Sequence, residues 1–205
     1  PLRLVGSEMC IRDRITYDSI RRVNLRAGQN AVTHWKVPTL EEVLILCKDK
    51  IVVNIDKGFQ YYGLIHPLLE KYGMLEQVLI KSNVTADRAA ATFSKYDDNC
   101  LFMPIVNFGK KSYRKILESY ERLKYPLLAY EICWSEYTPE VETCMREVIA
   151  GGSKLWVNSL WPSLNGGLCD DAAVEGDPAE VYGKLVDMGA TMIPVSYTHL
   201  RAHET

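Results

Sequence analysis

Six short apolar segments alternate with helical segments along most of the chain, and this alternation restricts the fold more than any other feature of the sequence. The predicted strands begin at residues 51, 77, 100, 127, 154 and 190. Successive starts are therefore 23 to 36 residues apart, and each interval holds one helix. Parallel strands need a crossover of this kind, whereas antiparallel hairpins need only a short turn. We therefore predict an α/β fold with a parallel sheet.

The first helix and strand of this series lie in the stretch 37–57, VPTLEEVLILCKDKIVVNIDK. Thr39 and Glu42 have the spacing of a capping box, which predicts a helix that begins at Leu40. The predicted apolar stripe of this helix comprises Leu40, Val43, Leu44 and Cys47. The β-branched run at 51–55 predicts a strand that is buried on both faces.

Two architectures share this alternation. A doubly wound open sheet and a (β/α)8 barrel are both built from helices and parallel strands in turn. No Gly-rich phosphate-binding loop follows any of the six strands, which disfavours an open sheet that binds nucleotides. We therefore favour a partial (β/α)8 barrel of the TIM type. A closed barrel has eight strands, so two strands are not among the six predicted here.

The composition argues against several classes of function. The 205 residues are 47% hydrophobic, which suffices for a full core, and no segment is long and apolar enough to span a membrane. A net charge of -2 and scattered Lys and Arg residues give no general field that would attract a polyanion, which argues against nucleic acid as the partner. The six cysteines show no CxxC and no spacing paired with histidine, so neither a structural zinc site nor a disulfide framework is predicted.

Both ends of the chain look foreign to the rest of it. The stretches 4–14, LVGSEMCIRDR, and 195–205, VSYTHLRAHET, resemble translations of the two strands of one sequencing-library adapter. The predicted division of the chain is an adapter-like segment at 1–14, a barrel segment at 15–193 and a second adapter-like segment at 194–205. This division removes His199 and His203 from consideration as a metal-binding pair.

Two histidines, His34 and His66, remain in the barrel segment. Residues 15–36 are predicted to form a short helix and then a polar loop that carries His34, and His66 is predicted to lie inside a helix. We expect structural or exposed positions for both rather than catalytic ones. No Ser/His/Asp order and no Cys/His pairing has a recognisable context, so the sequence does not support catalysis through a protein nucleophile.

Polar residues stand at the carboxyl ends of the predicted strands. They are Asn54, Asp56, Lys81, Ser82, Asn107, Glu131, Asn158 and, with them, Trp161. Because the carboxyl ends of parallel strands meet at one edge of a sheet, we expect these side chains to face one mouth. Carboxylates suit a divalent cation, a lysine suits phosphate charge and amides suit hydroxyl groups. The set therefore predicts a phosphate-ester site in which a metal acts as a Lewis acid.

These residues also have a structural interpretation. Lys81 follows a buried run and needs an anionic partner, because burying a lone charge is costly. A salt bridge to Asp56 or Glu131 would satisfy it as well as a bound substrate would. Packing explains Trp156, whereas Trp161 lies just past a strand and is a candidate for one wall of the ligand site.

Five segments, in this order along the chain, resemble a known family. They are VPTLEEVL, VVNIDKG, MPIVN, LWVNSLWPSLNGG and GATMI. Together they make residues 15–193 similar to glycerophosphodiester phosphodiesterases, in particular to a bacterial branch with a VN(I/L)DK strand. The resemblance implies a TIM-type barrel of which this chain carries strands three to eight. It also implies hydrolysis of a glycerophosphodiester to glycerol phosphate and an alcohol, with Ca or Mg as the divalent metal, in a periplasmic or secreted protein.

The resemblance assigns roles to six residues. The family pattern on strand three is Glu-x-Lys, and placing Asn54 and Asp56 on that pair preserves the face of the strand, so these two are the predicted metal ligands. The predicted substrate-binding residues are Lys81, Glu131, Asn158 and Trp161. The family's His-Arg motif, its acidic pair and its second catalytic histidine are absent from this sequence. No catalytic residue is therefore assigned, and we expect the chain itself to be inactive.

Two other functions fit the same residues. One is a barrel that binds a sugar phosphate without catalysing a reaction, and the other is an unrelated α/β enzyme on an open sheet. In the favoured interpretation the partner is a small glycerophosphodiester and not nucleic acid. The oligomeric state is not predicted.

Overall fold

The computed structural model describes residues 15–26, 31–96, 100–122 and 127–195 of the chain. The contacts within the chain divide it into two units, residues 1–48 and residues 49–205, which are considered separately. The first predicted adapter-like segment, together with His199 and His203, lies outside the described residues.

The described part of the first unit contains two helices and a two-stranded antiparallel sheet. These elements are α1 (Tyr17–Arg22), β1 (Asn24–Arg26), β2 (Val32–Lys36) and α2 (Leu40–Cys47). The prediction of a polar loop up to residue 36 is therefore wrong at β2. Although His34 and Lys36 make this segment polar, its β-branched and aromatic residues favour an extended backbone that can pair with β1.

The capping box predicted at the start of α2 is confirmed. Thr39 Oγ1 accepts a hydrogen bond from the Glu42 backbone N–H at 3.1 Å, and Glu42 Oε2 accepts one from the Thr39 N–H at 2.7 Å. The Thr39 N–H and the Arg21 guanidinium hold the pKa of Glu42 below its usual value. Of the predicted stripe, Leu44 is fully buried and Leu40, Val43 and Cys47 are partly buried, whereas Ile45 and Leu46 on the other side are exposed.

The second unit is built on a five-stranded parallel sheet whose strands follow the order of the chain. The strands are β3 (Val53–Ile55), β4 (Val78–Ser82), β5 (Leu101–Asn107), β6 (Ala129–Cys133) and β7 (Lys154–Trp156). Each strand pairs in parallel with the next. The α/β class and the parallel sheet predicted from the alternation are therefore confirmed.

Helices connect the strands and flank the sheet. They are α3 (Tyr62–Tyr72), α4 (Ala86–Phe93), α5 (Tyr113–Glu121), α6 (Pro139–Ala150), α7 (Asp170–Glu175) and α8 (Lys184–Asp187). The start of α6 follows the sequence signal, because Thr138 Oγ1 accepts a hydrogen bond from the Val141 N–H and Pro139 occupies the first turn. Gly73, in a left-handed conformation, ends α3.

The sixth predicted strand is reduced to a single bridge. Met192 forms an isolated parallel bridge with Trp156, and its backbone N–H donates to Leu155 O at 3.1 Å. The Val157 N–H donates to Met192 O at 3.0 Å, which completes the bridge, and the Thr191 N–H shares the Leu155 carbonyl at 2.9 Å. Pro194 then removes the next donor on that side.

The first strand of the sheet is shorter and more exposed than predicted. The prediction of a strand from residue 51, buried on both faces, is wrong because Ile51 and Val52 are 60% and 59% exposed and pairing starts at Val53. In the described part of the chain, β3 pairs only with β4 and forms one end of the sheet. An edge strand has a neighbour on one side only, which explains the exposure.

The two faces of the sheet carry different cores. On the face covered by α4 and α5, the rings of Phe59, Phe93 and Phe102 lie 5.3 to 5.9 Å apart. On the opposite face, here called the inner face, Leu79, Met103 and Ala129 form a buried cluster against which Leu101, Trp156 and Met192 pack. Side chains alternate between the two faces along a strand. The residue two positions after each member of this cluster therefore also lies on the inner face, closer to the carboxyl edge of the sheet.

Two buried groups with raised pKa values, Cys144 on α6 and Tyr130 on β6, predict that the fold is less stable at alkaline pH. Burial and the nearby Glu147 raise the pKa of Cys144 to about 12, and burial raises the pKa of Tyr130 to about 12. Between the ordinary and the raised values the folded chain binds more protons than the unfolded chain, so the stabilisation is complete below the ordinary values and is lost as the pH rises towards 12. We expect the melting temperature to fall from about pH 8 to about pH 11. The fall should be smaller in Cys144→Ala, and an unchanged pH profile in that variant would contradict this assignment.

Candidate functional site

A buried ion pair lies on the inner face of the sheet. Lys81 Nζ, on β4, is 2.9 Å from Glu131 Oε2, on β6. Lys81 is 7% exposed and Glu131 is 4% exposed. The contact passes over β5, which lies between the two strands. We refer to this contact as the Lys81–Glu131 pair.

The strand register explains why these two side chains meet. Lys81 is level with Met103 on β5, and Glu131 is level with Ile105, two residues further along the same strand. Both therefore lie on one face of the sheet. They are two strand spacings apart, and the lysine side chain is long enough to reach across β5 to the glutamate. The predicted need of Lys81 for an anionic partner is thus met inside the protein.

Asp56 adds a second carboxylate to the pair. Asp56 Oδ1 is 3.7 Å from Lys81 Nζ, and the residue is 64% exposed. It follows directly after β3, and Lys57 turns the chain there with a left-handed φ of 56°. Lys81 therefore contacts both of the acids that the sequence suggested as partners, one of them buried and the other at the surface.

Asn158 contacts the carboxylate oxygen of Glu131 that does not face Lys81. Its Nδ2 is 3.5 Å from Glu131 Oε1, and its Oδ1 accepts a hydrogen bond from the Leu160 N–H at 2.9 Å. The Leu160 contact fixes the orientation of the amide, so the amide presents its N–H donors towards the acid. Glu131 thus has an amine at one oxygen and an amide at the other.

Trp156 and Cys133 complete the surroundings of the pair. Lys81 Nζ is 5.4 Å from the centre of the Trp156 ring, a distance typical of a cation–π contact. Cys133 Sγ is 3.8 Å from Glu131 Oε1, and burial together with that carboxylate raises the pKa of the Cys133 thiol far above its usual value. Cys133 is consequently a neutral thiol and a poor nucleophile at neutral pH.

The structure brings four of the six predicted site residues together, namely Asp56, Lys81, Glu131 and Asn158. Asn54 is level with Leu79, which places it on the same face, but it is exposed, and no hydrogen bond or ion pair within the described residues joins it to the pair. Trp161 is 62% exposed in the loop after β7, and no contact between it and the pair is present among the described residues. Asn107 instead supports a turn, because its Oδ1 accepts a hydrogen bond from the Gly109 N–H.

Sequence reasoning missed the role of Trp156, which it assigned to packing alone. Trp156 is level with Glu131 in the register and two residues before Asn158, so all three share one face. The period of two along β7 could have placed Trp156 beside Asn158. It could not have shown the contact with Lys81, which depends on the register of four strands, β4 to β7.

A second buried polar cluster lies behind the end of β7 and was also missed. Asp170 is 1% exposed, and its Oδ1 accepts hydrogen bonds from Ser159 Oγ at 2.5 Å and Tyr182 Oη at 3.0 Å. The Asp170 backbone N–H donates to Ser159 O at 2.8 Å. These contacts join the loop after β7 to α7 and to the π-helix Ala179–Gly183 that runs directly into α8, so the cluster fixes the last part of the described chain.

The histidines and the described acids do not form a ready-made metal centre. His66 is buried on α3 among the rings of Tyr62 and Tyr96, and His34 is exposed on β2. Within residues 15–26, 31–96, 100–122 and 127–195 there is no group of three His, Cys, Asp or Glu side chains placed to hold a metal ion. In the same ranges no helix has the length and apolar character needed to cross a membrane.

Comparison with known families gives one match. A family model described as a domain of unknown function (DUF4996) matches residues 102–198. The matched region contains β5, β6 and β7, and therefore Glu131 and Asn158, whereas Asp56 and Lys81 precede it. No curated protein matches the sequence.

Proposed function

We propose that the chain derives from a metal-dependent glycerophosphodiester phosphodiesterase and carries strands three to eight of its TIM-type barrel. The observation that supports this most is the convergence of an amine, two carboxylates and an amide at the carboxyl edge of a parallel sheet. That edge is where α/β barrels bind their ligands. In this proposal β3 corresponds to the third strand of the barrel.

The contact across β5 supports a barrel rather than an open sheet. In TIM barrels the inward side chains form layers, and each layer is contributed by alternate strands. Lys81 on β4 and Glu131 on β6 have this relation, with β5 between them. Leu79 and Ala129 precede Lys81 and Glu131 by two residues on the same strands and form an apolar cluster with Met103 on the same face, as expected for a filled barrel interior.

The proposed substrate site uses the residues of this edge. Lys81 opposes the negative charge of the phosphodiester, and Asn158 offers an amide N–H to a phosphoryl or hydroxyl oxygen. Glu131 holds both donors in place through its two oxygens. Trp161, exposed in the loop after β7, forms a wall against the glycerol or the alcohol group.

Asp56 and Asn54 are the proposed ligands of the divalent metal. Ca and Mg bind six or more oxygen ligands, so these two residues hold the ion together with water and the phosphate oxygens of the substrate. When bound, the metal polarises a phosphoryl oxygen as a Lewis acid. The exposure of Asp56 suits a ligand that meets metal and substrate at the mouth of the site.

Calorimetric titration of the 205-residue chain with glycerol 3-phosphate tests the binding site. We expect binding in the presence of Ca or Mg with a dissociation constant on the order of 1 mM, because few protein ligands hold the ion. Asp56→Asn should abolish the effect of the metal, since it removes the only carboxylate proposed to bind it. Asp49→Asn changes an exposed acid in the turn that precedes β3, so it is the matched control and should bind like the unaltered chain.

The two exposed tryptophans provide an independent test of the same site. Trp161→Ala should weaken binding of glycerol 3-phosphate, whereas Trp35→Ala, which removes a similarly exposed ring from β2, should not. Equal effects of the two changes would contradict the assignment of Trp161. Absence of binding to the unaltered chain would contradict the proposed function.

One observation favours a second function, a barrel that binds a sugar phosphate without chemistry. His66 packs among aromatic rings on α3 and does not belong to the site cluster, so the described second unit supplies no imidazole for acid or base catalysis there. Both interpretations predict that this chain does not hydrolyse glycerophosphocholine. Robust metal-dependent release of glycerol 3-phosphate would contradict both.

A further inference from the structure

The loop after β7 contains the one Asn-Gly dipeptide of the sequence, Asn165–Gly166. Asn165 is completely buried, and its Nδ2 donates hydrogen bonds to Asn158 O at 2.9 Å and Leu168 O at 2.5 Å. The side-chain amide therefore ties the start of the loop to its end. Through Asn158 it also anchors the backbone of a residue of the candidate site.

The backbone of the dipeptide is fastened to the end of β6. The Gly166 N–H donates to Trp134 O at 3.1 Å, and the Trp134 N–H donates to Leu164 O at 3.2 Å. Gly166 has a left-handed φ of 66°, and a Cβ at this position would lie 3.0 Å from Trp134 Nε1. The fold thus requires glycine at the position that also makes the preceding asparagine chemically labile.

We propose that Asn165 is a deamidation site that the closed loop protects. In this reaction the Gly166 backbone nitrogen loses its proton and attacks Cγ of Asn165. A C–N bond forms, the bond from Cγ to Nδ2 breaks and ammonia leaves, which gives a cyclic succinimide. Water then opens the ring to aspartate or isoaspartate.

The closed loop opposes formation of the succinimide. The attacking nitrogen is held by its hydrogen bond to Trp134 O, and the leaving nitrogen is held by two carbonyls. The reaction therefore proceeds from an opened loop, and its rate follows the population of that state.

The product does not fit the closed loop. Aspartate at position 165 would place a carboxylate oxygen against the carbonyl oxygens of Asn158 and Leu168, in a position without solvent. Three acceptors would face one another with no donor between them, and burying an uncompensated charge is costly. Deamidation therefore converts a transient opening into a permanent one and releases Asn158 from its anchor. This inference does not depend on the proposed function.

The test follows deamidation of the 205-residue chain at neutral pH by peptide mapping and mass spectrometry. We expect Asn165 to deamidate at least about tenfold more slowly in the folded chain than in urea, because reaction is confined to the open population. A folded rate equal to the rate in urea would overturn the proposal.

Two glycine variants separate loop opening from intrinsic chemistry. Gly167→Ala strains the loop, since φ is 94° there, but the added Cβ meets no atom within 4 Å. Strain of 1 to 2 kcal/mol corresponds to an increase of about five- to thirtyfold in the folded rate. Gly183→Ala, which has a helical φ and equally open surroundings, should leave the rate unchanged. All three chains should react alike in urea.

The consequence for the fold is measured on the purified deamidated chain. We expect a lower melting temperature and faster hydrogen exchange at Gly166 and Trp134 than in the unreacted chain. Equal deamidation rates in folded Gly167→Ala and in the folded unaltered chain would overturn the claim that loop opening limits the reaction. Unchanged hydrogen exchange after deamidation would overturn the claim that the product holds the loop open.

Discussion

Lys81→Met should lower the free energy of unfolding by about 3–5 kcal/mol, because it leaves Glu131 buried without its cation. Both side chains of this pair are buried, whereas the ion pairs Arg21–Glu42, Arg114–Glu140, Arg146–Glu142 and Lys184–Glu180 of the described residues have partly or largely exposed side chains. Urea denaturation of the chain measures the change through the transition midpoint at constant slope.

The double variant Lys81→Met/Glu131→Leu distinguishes the cost of a broken pair from the value of the pair itself. Replacing both partners of a buried pair by apolar residues is often neutral, so the double variant should recover most of the lost stability. Lys184→Met, which removes an exposed pair with Glu180, should change stability by no more than about 0.5 kcal/mol. A loss in Lys81→Met as small as that in Lys184→Met would show that the buried pair does not hold the sheet in this arrangement.

Asp170→Ala should cost about 3 kcal/mol, because it removes the acceptor of two buried hydrogen bonds and leaves the hydroxyls of Ser159 and Tyr182 without that partner. Thermal and urea unfolding measure the loss. Asp171→Ala is a matched control, since Asp171 is exposed in the same first turn of α7 and loses only the helix-terminus interaction, about 0.3–1 kcal/mol. Equal losses in both variants would mean that the buried contacts of Asp170 contribute little.

The regular part of the fold follows from local sequence signals. Helix caps such as Thr39 with Glu42, and the spacing of apolar runs, predicted the alternation and hence the parallel sheet. The requirement that a buried lysine has an anionic partner predicted a salt bridge of Lys81 to Asp56 or Glu131, and the structure has a contact with each. These predictions succeeded because each rests on a physical requirement that acts within a few residues or on one side chain.

The remaining features depend on contacts between segments that are distant in the sequence. The pairing of Met192 with Trp156, and the sharing of Leu155 O by two N–H groups, join segments about 36 residues apart, which no local pattern reveals. The contact of Trp156 with Lys81 follows from the register of β4 to β7, and the burial of Asp170 follows from the path of the loop after β7. Residue types alone do not specify either of these.

The contact across β5 also sets a lower limit on the smallest piece of this protein that can be expected to fold alone. A fragment cut to residues 102–198, the region matched by the family model, would keep Glu131 but lose the strand that carries its counter-ion. Its first strand would also have no neighbour along one side. Recombinant fragments designed from the domain boundary should therefore begin upstream of β4.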